Sequence, residues 1–134
     1  MVNPKLTKKK KNITNVEIFK AAEDFFADFM TMCKNTDKIY RDNIMERIIN
    51  LILNFIENLH YSYESLEIKE KINFIIESQK TLSLIEVYLK LLNDYRLKVL
   101  NDKTYANFLF QIGEISTQTS LWSENTQKKL KQTT

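Results

Sequence analysis

A chain of 134 residues with one glycine, Gly113, and one proline, Pro4, has almost no means of turning sharply. At average usage the same length would hold about nine glycines and seven prolines. Sandwiches and barrels need a turn every few residues, and Gly-loop nucleotide folds need several glycines to let backbone approach a phosphate. Both are excluded. What remains is a small number of long helices, and the length suits one all-α domain that buries about two-thirds of its unfolded surface.

The helices can be placed by period and by their end signals. Thr14-Asn15-Val16-Glu17 is a capping box. It predicts a first helix over about 15–34 with the stripe Phe19, Ala22, Phe26, Phe29 and Cys33. Asn35-Thr36-Asp37 stops it and caps a second helix over about 37–60, whose line is Ile44, Ile48, Leu51, Phe55 and Leu59. After the interruption Tyr61–Ser65, capped by Ser62 or Ser65, a third helix is expected over about 66–99 with Ile75, Ser78, Leu82, Ile85, Leu89, Leu92, Arg96 and Val99 in one register. Asn101-Asp102 caps a fourth, where Tyr105, Phe108, Ile112, Ile115, Thr119 and Trp122 keep the cleanest 3–4 spacing in the chain. Short connections make sequence neighbours antiparallel, so the expected architecture is an up-down-up-down four-helix bundle over residues 14–125. Residues 126–134 are read as a tail or the frayed end of the fourth helix.

Two helices are apolar over more than one stripe. Leu84, Tyr88, Leu91 and Tyr95 form a second line on the third helix, as do Met45, Ile49, Ile52 and Ile56 on the second. A wide bundle core absorbs part of this surplus; a subunit interface through Tyr88, Leu91 and Tyr95 is the other reading.

The formal charge of +3 is unevenly distributed. Residues 1–12 hold Lys5, Lys8, Lys9, Lys10 and Lys11 and no acid, leaving fifteen bases against seventeen acids in 13–134. Residues 1–13 are therefore expected to be a flexible basic tail, serving either as a phosphate-binding arm or as a solubilising terminus. In the body, Lys34, Lys38, Arg41 and Arg47 make the one basic cluster, with Asp37, Asp42 and Glu46 near enough in sequence to pair with it.

Catalytic constellations are scarce. Glu57-Asn58-Leu59-His60 is one Glu-x-x-His pair, and a di-iron bundle needs two; His60 is the only histidine, so the imidazole is expected to complement a helix end. Cys33 lies on the core stripe and reads as a packed hydrophobe rather than a nucleophile. Glu86 and Arg96 are read as edge residues or a polar layer fixing register. No metal-spaced Cys/His group or phosphate loop occurs, and no run of 18 apolar residues spans a membrane. The expectation is a non-enzymatic binding protein with no cofactor and no small-molecule substrate. The lone cysteine and the absence of an apolar leader core predict a cytoplasmic location.

Ile18-Phe19-Lys20 followed by Lys38-Ile39-Tyr40-Arg41-Asp42-Asn43-Ile44-Met45-Glu46-Arg47-Ile48 is similar to a known pattern, continued by Tyr95-Arg96-Leu97-Lys98-Val99-Leu100, Tyr105, Ile112-Gly113-Glu114 and Trp122. Over about residues 16–123 the chain resembles the four-helix-bundle family of the accessory variability determinant protein of diversity-generating retroelements. That family also contains the proteins encoded in intervening sequences of 23S ribosomal RNA genes. The resemblance implies a homo-pentamer that binds a reverse transcriptase and its template RNA during mutagenic copying. Arg41 and Arg47 match the family's basic positions on the second helix, and Gly113 matches the glycine of the fourth. Asn35-Thr36-Asp37 stands where the family often has Phe-Pro, and the body's charge balance is acidic where the reverse-transcriptase accessories are basic.

Overall fold

In a computed structural model, the backbone is described for residues 4–133 and the side chains for 17–132. These residues form four helices and no strand. Helix α1 spans Pro4–Cys33, α2 covers 38–64, α3 is Ile68–Asn93 and α4 is Asp102–Thr133. Packing is cyclic: α1 contacts α2 and α4, and α3 contacts the same two helices. Contacts between α2 and α3 join Arg47 to Tyr88, Asn54 to Thr81 and Tyr61 to Phe74, positions that rise in one helix as they fall in the other.

The core is one continuous cluster. From α1 it takes Ile18, Ala22, Phe25, Phe29 and Cys33; from α2, Met45, Ile48, Ile52, Phe55 and Leu59. Helix α3 adds Leu82, Ile85, Leu89 and Leu92, with Ile75 and Ser78 also buried in its register, and α4 adds Phe108, Ile112 and Ile115. Phe25, Phe29 and Phe108 meet at its centre, with Phe108 edge-on to Phe25 at 5.6 Å between ring centroids. The α3 stripe is that expected from the sequence from Ile75 to Leu92, but not at Arg96 and Val99, and the α4 stripe is as expected, with Tyr105 and Trp122 half-buried at its ends. On α1 Phe25 rather than Phe26 is buried beside Phe29, and on α2 Met45 and Ile52 displace Ile44 and Leu51, which are half-buried at the margin. The surplus apolar line of α2 thus supplies much of the core.

Buried hydroxyls along these stripes are satisfied locally. Ser78 donates to the Ile75 carbonyl, Thr119 to Ile115 and Thr126 to Trp122. A hydroxyl that can bond back to its own helix enters an apolar core without an orphaned donor.

Several helix ends differ from expectation. The α1 backbone is helical from Pro4, well ahead of Thr14, so 4–13 is helix rather than an unstructured tail. Proline suits the first helical position, and lysine is a good helix former. The Thr14 side chain lies outside the described residues, as do those of Lys8, Lys9, Lys10 and Lys11. Neither Asp37, at the start of α2, nor Glu67, at the start of α3, makes a side-chain capping bond. Thr36 instead donates back to the Met32 carbonyl.

Helix α2 continues past His60 to Glu64, and its end is capped from the next helix. Lys71 Nζ donates to the carbonyls of Ser62 and Tyr63, both at 3.1 Å, while the buried Ser62 hydroxyl donates to the Lys71 carbonyl. A cation on the last carbonyls complements the helix dipole. Burial lowers the Lys71 pKa first, the Lys129 charge lowers it further, and Glu64 opposes both.

Helix α3 stops at Asn93, short of the expected 99, because Asp94 competes for the backbone. Its carboxylate accepts the Arg96 amide and both Nε and Nη2 of the Arg96 guanidinium at 2.9–3.0 Å. These bonds hold the Asp94 carboxyl down at about 2. Lys98 then adopts φ 44°, the one positive φ among described residues, and Leu100 folds back to bond Leu92 and enter the core. Arg96 is thereby outside the helix and exposed, not in its register. Asn101 caps α4 as expected, its Oδ1 accepting the Thr104 amide at 2.8 Å. That helix runs unbroken to Thr133, so residues 126–133 belong to it.

Candidate functional site

The start of α2 departs from α-helix. After one α-turn, Lys38–Tyr40, the residues Arg41–Met45 form a π-turn in which the Glu46 amide reaches the Arg41 carbonyl five residues back. In an unbroken α-helix the residue one heptad before the buried Ile48 is Arg41, and its guanidinium would be driven toward the core. The wider turn advances the register by a residue. Tyr40 packs against the core instead, and Arg41 is exposed.

Lys34 and Lys38 flank the tight connection that leads into this turn, and all three cations are exposed. None of them forms an ion pair with Asp37, Asp42 or Glu46 among the described residues. The described ion pairs lie elsewhere: Lys80 with Glu77, Arg96 with Asp94, and Lys98 with Asp102. Beneath the corner sits Cys33. Burial pushes its thiol up to about 11, and the Arg41 charge, the smaller effect, draws it down. A thiol so protonated is a poor nucleophile at neutral pH.

Arg47, grouped with these cations in the sequence, is separated from them in space. It lies two turns along α2, where Nε donates to the Tyr88 hydroxyl at 2.8 Å and the guanidinium carbon sits 5.7 Å from the Tyr88 ring centroid. Together they border an open groove of 750 Å³ between α2 and α3 whose other walls include Asn43, Asn50 and Asn54. The carboxamides on this rim supply donors and acceptors, and the Asp42 and Glu46 carboxylates line the same groove. The sequence reading missed this rim because asparagine is abundant throughout the chain. Its signal was there in the spacing of 43, 50 and 54, which one face of a helix brings together.

The three residues read as an interface also separate. Tyr88 is half-buried and engaged by Arg47; Leu91 is 45% exposed on the outside of α3; Tyr95, 81% exposed, stands in the turn beyond α3 with the Arg96 guanidinium carbon 5.6 Å from its ring centroid. His60 is exposed on α2 beside the Tyr61 ring, and Glu86 is exposed at the α3–α4 margin. Among the described residues no three His, Cys, Asp or Glu side chains converge as a metal site, and no helix is long and apolar enough to cross a membrane.

Set against family models, curated proteins and solved structures, the chain matches none. The functional reading therefore rests on its own residues and on the sequence resemblance.

Proposed function

We propose that this chain is a non-enzymatic, cytoplasmic accessory protein of a diversity-generating retroelement, an antiparallel up-down-up-down bundle that binds the element's reverse transcriptase and template RNA. The observation that carries this reading is the corner of exposed cations Lys34, Lys38 and Arg41, free of ion pairs among the described residues, with Arg41 turned outward by the π-turn. Cations without local counter-ions bind phosphate without first breaking a pair. The paired rise and fall of α2–α3 contacts supports the antiparallel topology. Lys8, Lys9, Lys10 and Lys11 would add charge to the RNA contact, and Arg47 would anchor the partner groove. The protein works as a homo-oligomer, pentameric on the family's pattern, with Leu91 in its contact surface.

The test is co-purification with the neighbouring reverse transcriptase and its RNA across a salt titration. RNA retention should fall steeply with salt, and Lys34→Gln, Lys38→Gln and Arg41→Gln together should flatten that slope. Retention that ignores both salt and the triple substitution refutes the RNA role. The exposed apolar faces of α3 and α4 favour a second reading, an oligomeric interaction module of the intervening-sequence type with no nucleic-acid partner. It predicts no RNA retention at any salt.

A further inference from the structure

Tyr95 is the most exposed aromatic side chain among the described residues. A single exposed apolar group needs no explanation by itself. This one is set apart by how it is held and by what surrounds it.

The turn that carries Tyr95 is pinned on both sides. The Leu97 and Lys98 amides donate to the Asp94 carbonyl at 3.0 and 2.7 Å, while the Asp94 carboxylate accepts the Arg96 amide and guanidinium. Asn93 donates to the Leu100 carbonyl and to Asp102, and the Leu100 amide returns to the Leu92 carbonyl. The Arg96 guanidinium, fixed by Asp94, lies over the Tyr95 ring and leaves the rest of it open to solvent. A ring so backed is preorganised, because stacking on it orders no further part of the chain.

Its neighbours are cations. The α2–α3 contacts pair Asn54 with Thr81 and Arg47 with Tyr88, and one heptad further they bring Tyr40 level with Tyr95. The corner that displays Lys34, Lys38 and Arg41 and the turn beyond α3 therefore share one end of the bundle. Arg96 and Lys98 neutralise Asp94 and Asp102 within the turn, which leaves Lys34, Lys38, Arg41 and Lys103 against Asp37 and Asp42. The other exposed rings lack this company: Phe110 stands beside Glu114, Tyr61 is engaged by Phe74, and Tyr63 by Phe19.

Cations that hold phosphates beside an aromatic ring with an open face are the means by which proteins bind single strands. The charges follow the backbone and the ring takes a base. Bases within a duplex are stacked on one another and offer a side chain no free face along its length. From this we infer that Tyr95 is a stacking platform for an unpaired base of an RNA whose phosphates lie on the Lys34, Lys38 and Arg41 corner. The inference names the form of RNA that the proposed function requires and rests on the RNA part of that reading.

The test uses the full chain and one labelled RNA of about 12 nucleotides, either alone or annealed to its complement, with binding followed by fluorescence anisotropy across a salt series. The single strand should bind more tightly than the duplex. Tyr95→Ala should weaken single-strand binding about 5- to 150-fold with the salt slope and helical circular dichroism unchanged, and should leave duplex binding as it was. Tyr95→Phe, which keeps the ring, should bind as the native chain does. Single-strand binding indifferent to Tyr95→Ala, an equal loss on the duplex, or a Tyr95→Phe variant as weak as Tyr95→Ala overturns the inference and leaves the RNA role standing. A native chain that binds neither probe at any salt refutes the RNA role itself, and the inference with it.

Discussion

Cys33 offers a direct measure of how tightly the α1–α2 corner is closed. Its thiol pKa is pushed from 9.0 up to about 11 in the folded chain, because the residue is buried and a thiolate there would be desolvated. The folded value lies above the unfolded one. The corresponding stability is therefore fully present below pH 9 and is lost as pH rises through 11. Two units correspond to about 3 kcal/mol at the limit, and roughly half of that is already lost at pH 10. Other groups titrate in the same window, so the quantity to measure is the difference between the native chain and Cys33→Ala, by urea denaturation at each half unit from pH 8 to 11. That difference should shift against the native chain by the stated amount. Reactivity gives the same answer independently: at pH 8 the folded thiol holds roughly a hundredth of the thiolate of a free one, so disulfide-exchange labelling should be at least that much slower than in the unfolded chain. A stability difference independent of pH, together with labelling as fast as in urea, would show that the corner opens and would refute the buried packing of Cys33.

Three further outcomes follow from particular contacts. Phe29→Ala removes a fully buried ring that meets Phe25 and Phe108 and should cost about 3–5 kcal/mol in chemical denaturation. Asn101→Ala deletes the acceptor for the Thr104 amide and should cost about 1 kcal/mol by the same assay. Lys98→Gly relieves a left-handed φ of 44° and deletes the exposed ion pair to Asp102, so the net stabilisation should be below about 1 kcal/mol, read as a slightly higher melting temperature.

Which parts of the structure were legible in the sequence depended on whether the deciding forces were local. The α4 stripe and the Asn101 cap were legible because a regular 3–4 spacing and a side chain three residues from its target leave little choice. The end of α3 was not, because Arg96 and Val99 continue the apolar register while Asp94 captures the Arg96 amide and guanidinium, a competition that periodicity does not express. Phe25 and Phe26 are adjacent rings; which one turns inward is decided by where Phe108 stands on another helix. At the candidate site, the cations Lys34, Lys38 and Arg41 were found by their charge, yet Arg47 left the group because Tyr88, 41 residues away, holds it.

The π-turn has a consequence for how this chain tolerates changes in length. Helical registers normally transmit an added or missing residue along the whole element, which would turn every core side chain of α2 out of place. Here the widened turn absorbs a residue between Tyr40 and Glu46, and the phase of everything beyond it is unaffected. Deleting one residue of the widened turn would leave Ile48, Ile52, Phe55 and Leu59 where they are. It would also leave Tyr40 on the core, one ordinary heptad before Ile48, so that Lys38–Tyr40 keeps its face. The corner can thus lose a single codon within the turn while the segments on both sides of it keep their faces and the bundle keeps its packing.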